Sequence, residues 1–537
     1  MFRNHLKVAL RNLKRHKIYS FINISGLAIG MACAILILLW IQDELSYDRF
    51  HKHANNVYRL VAEENNVRYA ISHAPFAYTL KEECPQILKA TRVDLGTSQN
   101  LIEYKEKKFE QRSKVVDSDF FEIFTYSFIH GDPRTAFSEP FSIVLTEDLS
   151  ENCFGDENPI GKILTVDNRR DLTVTGVIKN IPNNSHLKFD FLLSFKYWQQ
   201  EFGWSSRWDD WSYYTYVLVQ RNASIDEVNQ EINDCYKKHR PERKTKFHLQ
   251  SLTKVHLYSD FNFDVAGNGD IRHVYIFTAI AIMILIIACI NFMNLSTARS
   301  ASRAKEVGIR KVVGSKRIQL IRQFFSESIL LVFISFLTSL ILVELLLPIF
   351  SALSGKRLSI GYFDIRFILT SVAIIFVCGI LAGIYPAFFL SSFNSLRTIR
   401  GAIGSDTGRT IFRKILVVAQ FSLSIGLIIG TTIISNQINF MRNAKLGFDK
   451  ENLVYLRLRG NLRENFETIK TELLQYPDIT NVSASSRLPI EMFDGTTGAE
   501  WEGKEEGKNL QMQILRVDYD YLDTYKMLMA QGRFFDR

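Results

Sequence analysis

The sequence predicts a membrane protein in which an α-helical transmembrane bundle carries a large extracytoplasmic α+β domain. Three observations lead there. Five windows of about 20 residues are apolar enough to cross a hydrocarbon core of roughly 30 Å. The basic residues beside these windows gather in alternate connecting segments. Between the first and second windows the pattern changes to short strand-like runs separated by turns. Composition agrees, since 47% of the 537 residues are hydrophobic while 23% are charged, an average over two solvents.

Residues 1–20 come first. Phe2, Leu6, Ala9, Leu10 and Leu13 share one helical stripe, and Arg3, Lys7, Arg11 and Lys14 surround it. Such a helix can lie flat on the inner leaflet with its cations among lipid headgroups, and a plain topogenic tail is the bland alternative. Membrane lipid is thus the first expected partner. The first span, Phe21–Ile41 within segment 21–42, lacks an Ala-x-Ala-like cleavage site, and Trp40 to Glu44 read as an interfacial helix end. It is an anchor, not a leader.

Residues 43–272 form the outer domain. Strands are expected at Val57–Ala62, Ile143–Leu145, Leu172–Ile178 and Tyr213–Gln220, and helices at Phe76–Glu83 and Ile225–His239. Trp198, Trp204, Trp208 and Trp211 crowd one segment, a pattern commoner for core anchoring than for a binding face. Residues 273–395 hold spans two to four at Val274–Leu295, Ile329–Phe350 and Phe367–Leu390, with a connecting loop at 297–325. Residues 396–435 are a further loop and span five, Ile415–Ile434, and 436–537 lie beyond it.

Orientation follows from the cations. Arg3, Lys7, Arg11, Lys14, Arg15 and Lys17 precede span one; Arg299, Arg303, Lys305, Arg310, Lys311, Lys316, Arg317 and Arg322 separate spans two and three; Arg397, Arg400, Arg409, Arg413 and Lys414 separate spans four and five. All three segments fall on one side, which the positive-inside rule makes cytoplasmic. The N-terminus is then inside and 43–272 and 436–537 are outside, at a plasma or bacterial inner membrane. These loops account for most of the formal charge of +9, so no nucleic-acid partner is called for.

Little in the chain suggests catalysis. Gly155 to Lys162 imitates a phosphate-binding loop, but its glycines stand six apart instead of five and Ile163 replaces the hydroxyl residue. His51 and His53 lack companion ligands at metal spacing, no Cys-x-x-Cys occurs, and the three outer cysteines, Cys84, Cys153 and Cys235, read as free buried thiols. No catalytic, cofactor or metal residues are assigned. Glu344 is an acid near the outer end of span three, where interfacial placement explains it.

An internal repeat organises the chain. Gly26-Leu-Ala-Ile-Gly30 recurs as Gly426-Leu-Ile-Ile-Gly430, offset by 400, and Val116-Asp-Ser-Asp-Phe-Phe121 recurs as Val517-Asp-Tyr-Asp-Tyr-Leu522, offset by 401. Residues 436–537 are therefore expected to open a second outer domain, incomplete here, of a parent with eight spans and about 800 residues.

The loop 297–325 differs in kind from the others. Val307, Ile309 and Val313 form one short apolar edge and Ile318, Ile321 and Phe325 another, with Gly314 between them as a bend. The run Arg303-Ala-Lys-Glu306-Val-Gly308-Ile-Arg310-Lys311-Val-Val-Gly314-Ser-Lys-Arg317 resembles the coupling-helix signature of MacB/FtsX-type ABC transporter permeases. Phe154-Gly155-Asp-Glu-Asn-Pro159-Ile-Gly161-Lys162 and Val174-Thr-Gly176-Val-Ile look like parts of the MacB-type periplasmic core domain, and Tyr385-Pro386-Ala387 looks like that family's exit from its last span. The resemblance implies a non-catalytic permease subunit that transmits the work of a separate cytoplasmic ABC ATPase dimer to its outer domain, in export, extraction or efflux. It places Glu306, Gly308, Arg310, Lys311, Gly314 and Arg317 at the ATPase contact and leaves room for a periplasmic adaptor or outer-membrane component. The alternative within the superfamily is an FtsX-like regulator of an extracytoplasmic hydrolase.

Overall fold

A computed structural model describes residues 11, 17–96, 98–201, 207–265, 267–298, 309, 312–313, 315–391, 407–444, 446–458, 461–490, 495–496, 500–504 and 512–536. Each apolar window lies inside a longer helix: Lys17–Leu45 (span one), Ile271–Ala298 (span two), Arg317–Ser354 (span three), Ile365–Ser391 (span four) and Thr407–Asn443 (span five). All five are long and apolar enough to cross a membrane. The helices overrun the hydrocarbon at both ends, so the expected outer-domain limits, Asp43 and Arg272, lie within helical turns. Only Arg11 of the first fifteen residues is described, and the flat basic helix expected there otherwise lies outside the described residues.

Spans one to four share a core built on Leu27, Met31, Ile35, Phe292, Val332 and Cys378. Lipid tails are as apolar as these side chains, so close backbone approach, not burial from water, holds the helices together. Gly30 provides it: a Cβ there would stand 2.6 Å from the Ala288 Cβ of span two. Span five rests against span two, where Asn294 Nδ2 donates to Gln420 Oε1 at 3.2 Å. Its Gly426 and Gly430 have nothing within 4 Å. The same five-residue pattern is thus a packed seam in span one and an open face in span five.

The outer domain contains β1 Val57–Glu64, β2 Val67–Tyr69, α1 Phe76–Glu83, β3 Ile87–Asp94, β4 Ser98–Tyr104, β5 Lys107–Val116, α2 Phe120–Ile123, β6 Phe128–His130, β7 Ser142–Thr146, α3 Glu147–Phe154, β8 Ile163–Val166, β9 Arg170–Ile178, β10 Phe191–Ser194, α4 Phe195–Glu201, β11 Tyr213–Val219, α5 Ile225–His239, β12 Lys246–Ser251 and α6 Leu252–Val255. The sheet runs β10-β7-β9-β8-β4-β5-β3-β11-β1-β12, and β5 also pairs with β10. That last pairing is parallel, Phe191 opposite Ser113 through Ser194 opposite Val116, and it closes β5-β4-β8-β9-β7-β10 into a ring. Ile102, Val115, Ile143, Leu164, Val174 and Leu193 belong to the core of this lobe. The remaining strands, β3-β11-β1-β12, form an open sheet packed with α1 and α5 through Phe76, Leu80, Val217, Ile232, Tyr236 and Phe247.

Local signals explain the details. Gly155 closes α3 with φ +62° and Gly161 turns with φ +81° into β8, so the segment that imitates a phosphate loop is a glycine turn before a strand. Trp208 and Trp211 flank His73 and pack toward the α1–α5 core, and Trp198 packs against the barrel core, so these three are anchors. Trp204 lies outside the described residues. Beyond span five come α7 Asn461–Glu464, α8 Phe466–Leu473, β13 Gly495–Thr496, β14 Met512–Gln513 and α9 Tyr521–Tyr525.

Candidate functional site: the joint between spans and outer domain

Of the six residues expected at the ATPase contact, Glu306, Gly308, Arg310, Lys311 and Gly314 lie outside the described residues. Arg317 is the first residue of the span-three helix. The helix begins with a reciprocal cap between Lys316 and Gln319, the Lys316 N–H donating to Gln319 Oε1 at 3.0 Å. No acidic residue stands in its first turn, so Lys316 and Arg317 add cationic charge to the positive end of the helix dipole. Ile309 and Val313, expected on one apolar edge, are both exposed. Deeper in this helix Glu327 is buried, an acid that a window starting at Ile329 left outside the span.

Span three is one helix of 38 residues, hence about 57 Å long at 1.5 Å per residue. Gly355 ends it in the left-handed conformation, φ +66°. The next residue, Lys356, donates to Asp43 Oδ2 at 2.5 Å and to Glu44 Oε1 at 2.7 Å, both at the outer end of span one. Burial opposes the Lys356 ammonium, but the two carboxylates prevail and hold its pKa above the ordinary lysine value. Glu44 accepts a second hydrogen bond, 2.8 Å, from Nε2 of His256, which follows α6 in the outer domain. The His256 ring stacks on Tyr47 with centroids 3.4 Å apart. Gly269 fits against the same group, because a Cβ there would lie 2.7 Å from Glu44 Oε2 and 3.0 Å from His256 Nε2. Spans one and three and the outer domain therefore meet at a single partly buried charge cluster.

A second lock follows within one turn. Asp48 adopts φ +57°, is fully buried, and donates its N–H to Asn184 O at 2.8 Å. Its Oδ1 accepts the His186 N–H at 3.1 Å and lies 2.9 Å from His186 Nδ1, while His186 Nε2 is hydrogen-bonded to the Tyr216 hydroxyl at 2.7 Å. His51 sits 4.0 Å from Asp48, and its Nδ1 accepts the Thr125 N–H at 3.0 Å. Burial drives the His51 pKa down to about 4 despite Asp48. For Asp48 burial acts upward, and His186 more than offsets it, holding the carboxyl below its ordinary range. Phe120, Phe124, Phe189 and Tyr216 complete the surrounding core. His51 thus has an acid and a histidine beside it, as a structural lock.

The two sequence blocks that match at an offset of 401 both carry lysine or arginine pairs to their aspartates. In the first copy Arg92 binds Asp117 at 2.6 Å, and Lys81 and Lys89 pair with Asp119. In the second, Lys470 binds Asp518 at 2.6 Å and also pairs with Asp520. After span five the Asp449 N–H donates to Tyr525 O at 2.9 Å, and Lys526 reaches Asp449 at 2.7 Å. After span one, Lys52 and His51 likewise engage Thr125, which follows Phe124 as Lys526 follows Tyr525.

Residues 20–234 match the family model of the MacB-like periplasmic core domain, and residues 278–395 match that of the FtsX-like permease C-terminal region. The chain belongs to the MacB/FtsX-like ABC transporter permeases. Relatives of this family include an ABC transporter permease of Methanocaldococcus jannaschii, 21% identical over 412 residues that cover 73% of this chain and 96% of that one. The macrolide export ATP-binding/permease protein MacB of Haemophilus ducreyi is 23% identical over 399 residues, 71% of this chain and 53% of that protein. Among the MacB relatives the match covers between 28% and 58% of their length. The periplasmic region of MacB from Actinobacillus actinomycetemcomitans aligns at 14% identity and a TM-score of 0.29, covering 38% of this chain and 91% of that one. As an ABC transporter permease, this family member has a cytoplasmic ATPase as its implied partner.

Sequence reasoning reached the spans but missed Lys356, His256 and Asp48 as a joint. A signal was there. Asp43 and Glu44 end span one, and Lys356 stands in the short loop between spans three and four, on the same face of the membrane.

Proposed function

We propose that this permease converts the work of a separate cytoplasmic ABC ATPase into movement of its outer domain, with no catalysis of its own, in a bacterial inner membrane and with a cytoplasmic N-terminus. The observation that carries the reading is the Lys356 joint, which ties the outer end of span three to span one and to His256 of the outer domain. A helix resists bending and compression over its length, so displacement at Arg317 arrives at Lys356. The loop 297–325 supplies the grip. Arg310, Lys311 and Arg317 offer charge to the ATPase, Gly308 and Gly314 allow the bend, and Glu306 is a further contacting or shaping position. In an efflux role a periplasmic adaptor or outer-membrane component is a further partner.

The test is co-purification of the permease with its tagged cognate ATPase. Arg310→Glu with Lys311→Glu is expected to reduce recovery at least tenfold, while a Lys356→Met variant co-purifies like wild type. Undiminished recovery of the doubly reversed variant overturns the docking role.

A further inference from the structure

The C-terminal ends of α1 and α5 converge at a cluster of soft and hard donors away from the joint. Cys235 and His239 stand four residues apart on one face of α5. From α1 comes Glu83, its last residue, followed by Cys84 as the C-cap. One ligand atom each from Glu83, Cys235 and His239 falls within 4.8 Å of the others. Cys84 is buried in the same core cluster as Cys235 and offers a fourth donor. The thiols are 1% and 6% exposed, whereas the Glu83 and His239 side chains are 28% and 30% exposed, so the group is a pocket with a sulfur floor and an open rim.

We propose that Glu83, Cys84, Cys235 and His239 form a binding site for a thiophilic divalent cation of the zinc type. Two thiolates, an imidazole and a carboxylate are a donor set that suits tetrahedral Zn2+, whose ligand atoms lie roughly 3.5 Å apart at ordinary bond lengths. Glu83, Cys235 and His239 need only a modest contraction from their observed spacing, and the Cys84 thiol turns in to join them. Electrostatics favour a cation here for an independent reason: both helices present their C-terminal, negative dipole ends to the site. Binding follows Zn2+ + 2 RSH → Zn(SR)2 + 2 H+, with both protons leaving to solvent. His239 Nε2 now donates its N–H to Glu83 Oε1 at 2.7 Å; when that hydrogen bond opens and the proton moves to Nδ1, the Nε2 lone pair is free for the metal. Two thiolates and one carboxylate leave one negative charge on the loaded site, and Lys238, whose Nζ is 2.9 Å from Glu83 Oε2, offsets it. Trp208 stacks on the His239 ring at 5.2 Å and holds it at the rim. Glu231, one turn before Cys235, has a buried Oε2 without a hydrogen-bond partner among the described residues, available to a water or a ligand proton. A loaded site clamps α1 to α5 and protects two thiols from oxidation in the outer compartment.

The experiment uses the full chain in detergent, reduced, stripped of metal and then freed of reductant and chelator. Titration with Co2+ is expected to give a thiolate-to-cobalt charge-transfer band with tetrahedral ligand-field absorption, saturating at one ion per chain, releasing two protons, and bleached by Zn2+. Cys84→Ser and Cys235→Ser each diminish the band, and the rim variants Glu83→Gln and His239→Gln, which leave the core intact, weaken Zn2+ binding at least about tenfold. Cys153→Ser changes nothing. The proposal is overturned if reduced wild-type chain gives no such band, if the band survives in both cysteine variants, or if Zn2+ affinity is unaltered in both rim variants. A Cys84–Cys235 disulfide in protein isolated without reductant from its own compartment also overturns it.

Discussion

At the scale of single residues, buried ionisable groups make the outer domain sensitive to acid. His51 is 4% exposed, and its pKa is about 4 in the folded chain against 6.5 when unfolded. As pH falls through 6.5 the unfolded chain takes up the proton first, so stability declines between pH 6.5 and about 4, by about 3 kcal/mol from this residue if the full difference is expressed. The groups facing it are Asp48 and His186. Asp48 adds a loss of the same sign below the ordinary carboxylate range, since its folded pKa is depressed. His73, lowered to about 3 by burial against Trp208 and Trp211, extends the slope. Denaturant midpoints measured by tryptophan fluorescence are expected to fall over that interval, and His51→Gln should flatten the curve at a cost to the midpoint at pH 7. This residue-level chemistry was the least legible part of the sequence. His51 looked unaccompanied because Asp48, three residues before it, makes no cluster by itself and His186 is 135 positions away. Glu83 and His239 are likewise brought together only by the packing of α1 on α5.

Elements were more legible. The helices predicted at Phe76–Glu83 and Ile225–His239 occur with those limits, because a clear 3.6-residue apolar period and flanking turn residues specify both ends. The strands at 57, 143, 172 and 213 also occur, with ends extended or trimmed by one or two residues. Closure of the barrel was not readable. It depends on β5 and β10 pairing in parallel across 78 positions, and local alternation carries no register over that distance. The glycine patterns of spans one and five show a similar limit: identical spacing, different neighbours. Gly30→Leu must push span one from Ala288, and a loss of roughly 1–3 kcal/mol is expected. Gly430→Leu meets nothing within 4 Å and should leave the melting temperature of this chain within about a degree. Thermal melting of the two variants in the same detergent distinguishes a packed seam from an open one.

For the whole molecule, the proposed lever and the proposed repeat describe one device. In the first unit the helix ends of spans one and three are tied together by Lys356, and span one is locked to the outer domain through Asp48. After span five, Asp449 engages Tyr525 and Lys526, where the proposed repeat would put the corresponding turn. The general plan was legible because hydropathy, basic loops and motif order are all properties of the linear chain. What joins the parts is tertiary, since Lys356 and Glu44 are 312 positions apart and neither stands out alone.

The central claim is that motion reaches the outer domain through this joint. Its most direct test is the distance between bioorthogonal spin labels at Glu106, exposed in the β4–β5 turn, and Ile425, exposed on span five, in permease bound to its ATPase in lipid nanodiscs. ATP is expected to change the distance distribution in the wild-type chain and to leave it unchanged in Lys356→Met, although both retain the ATPase. An equal ATP-dependent change in Lys356→Met, or no change in the wild-type chain, would contradict it.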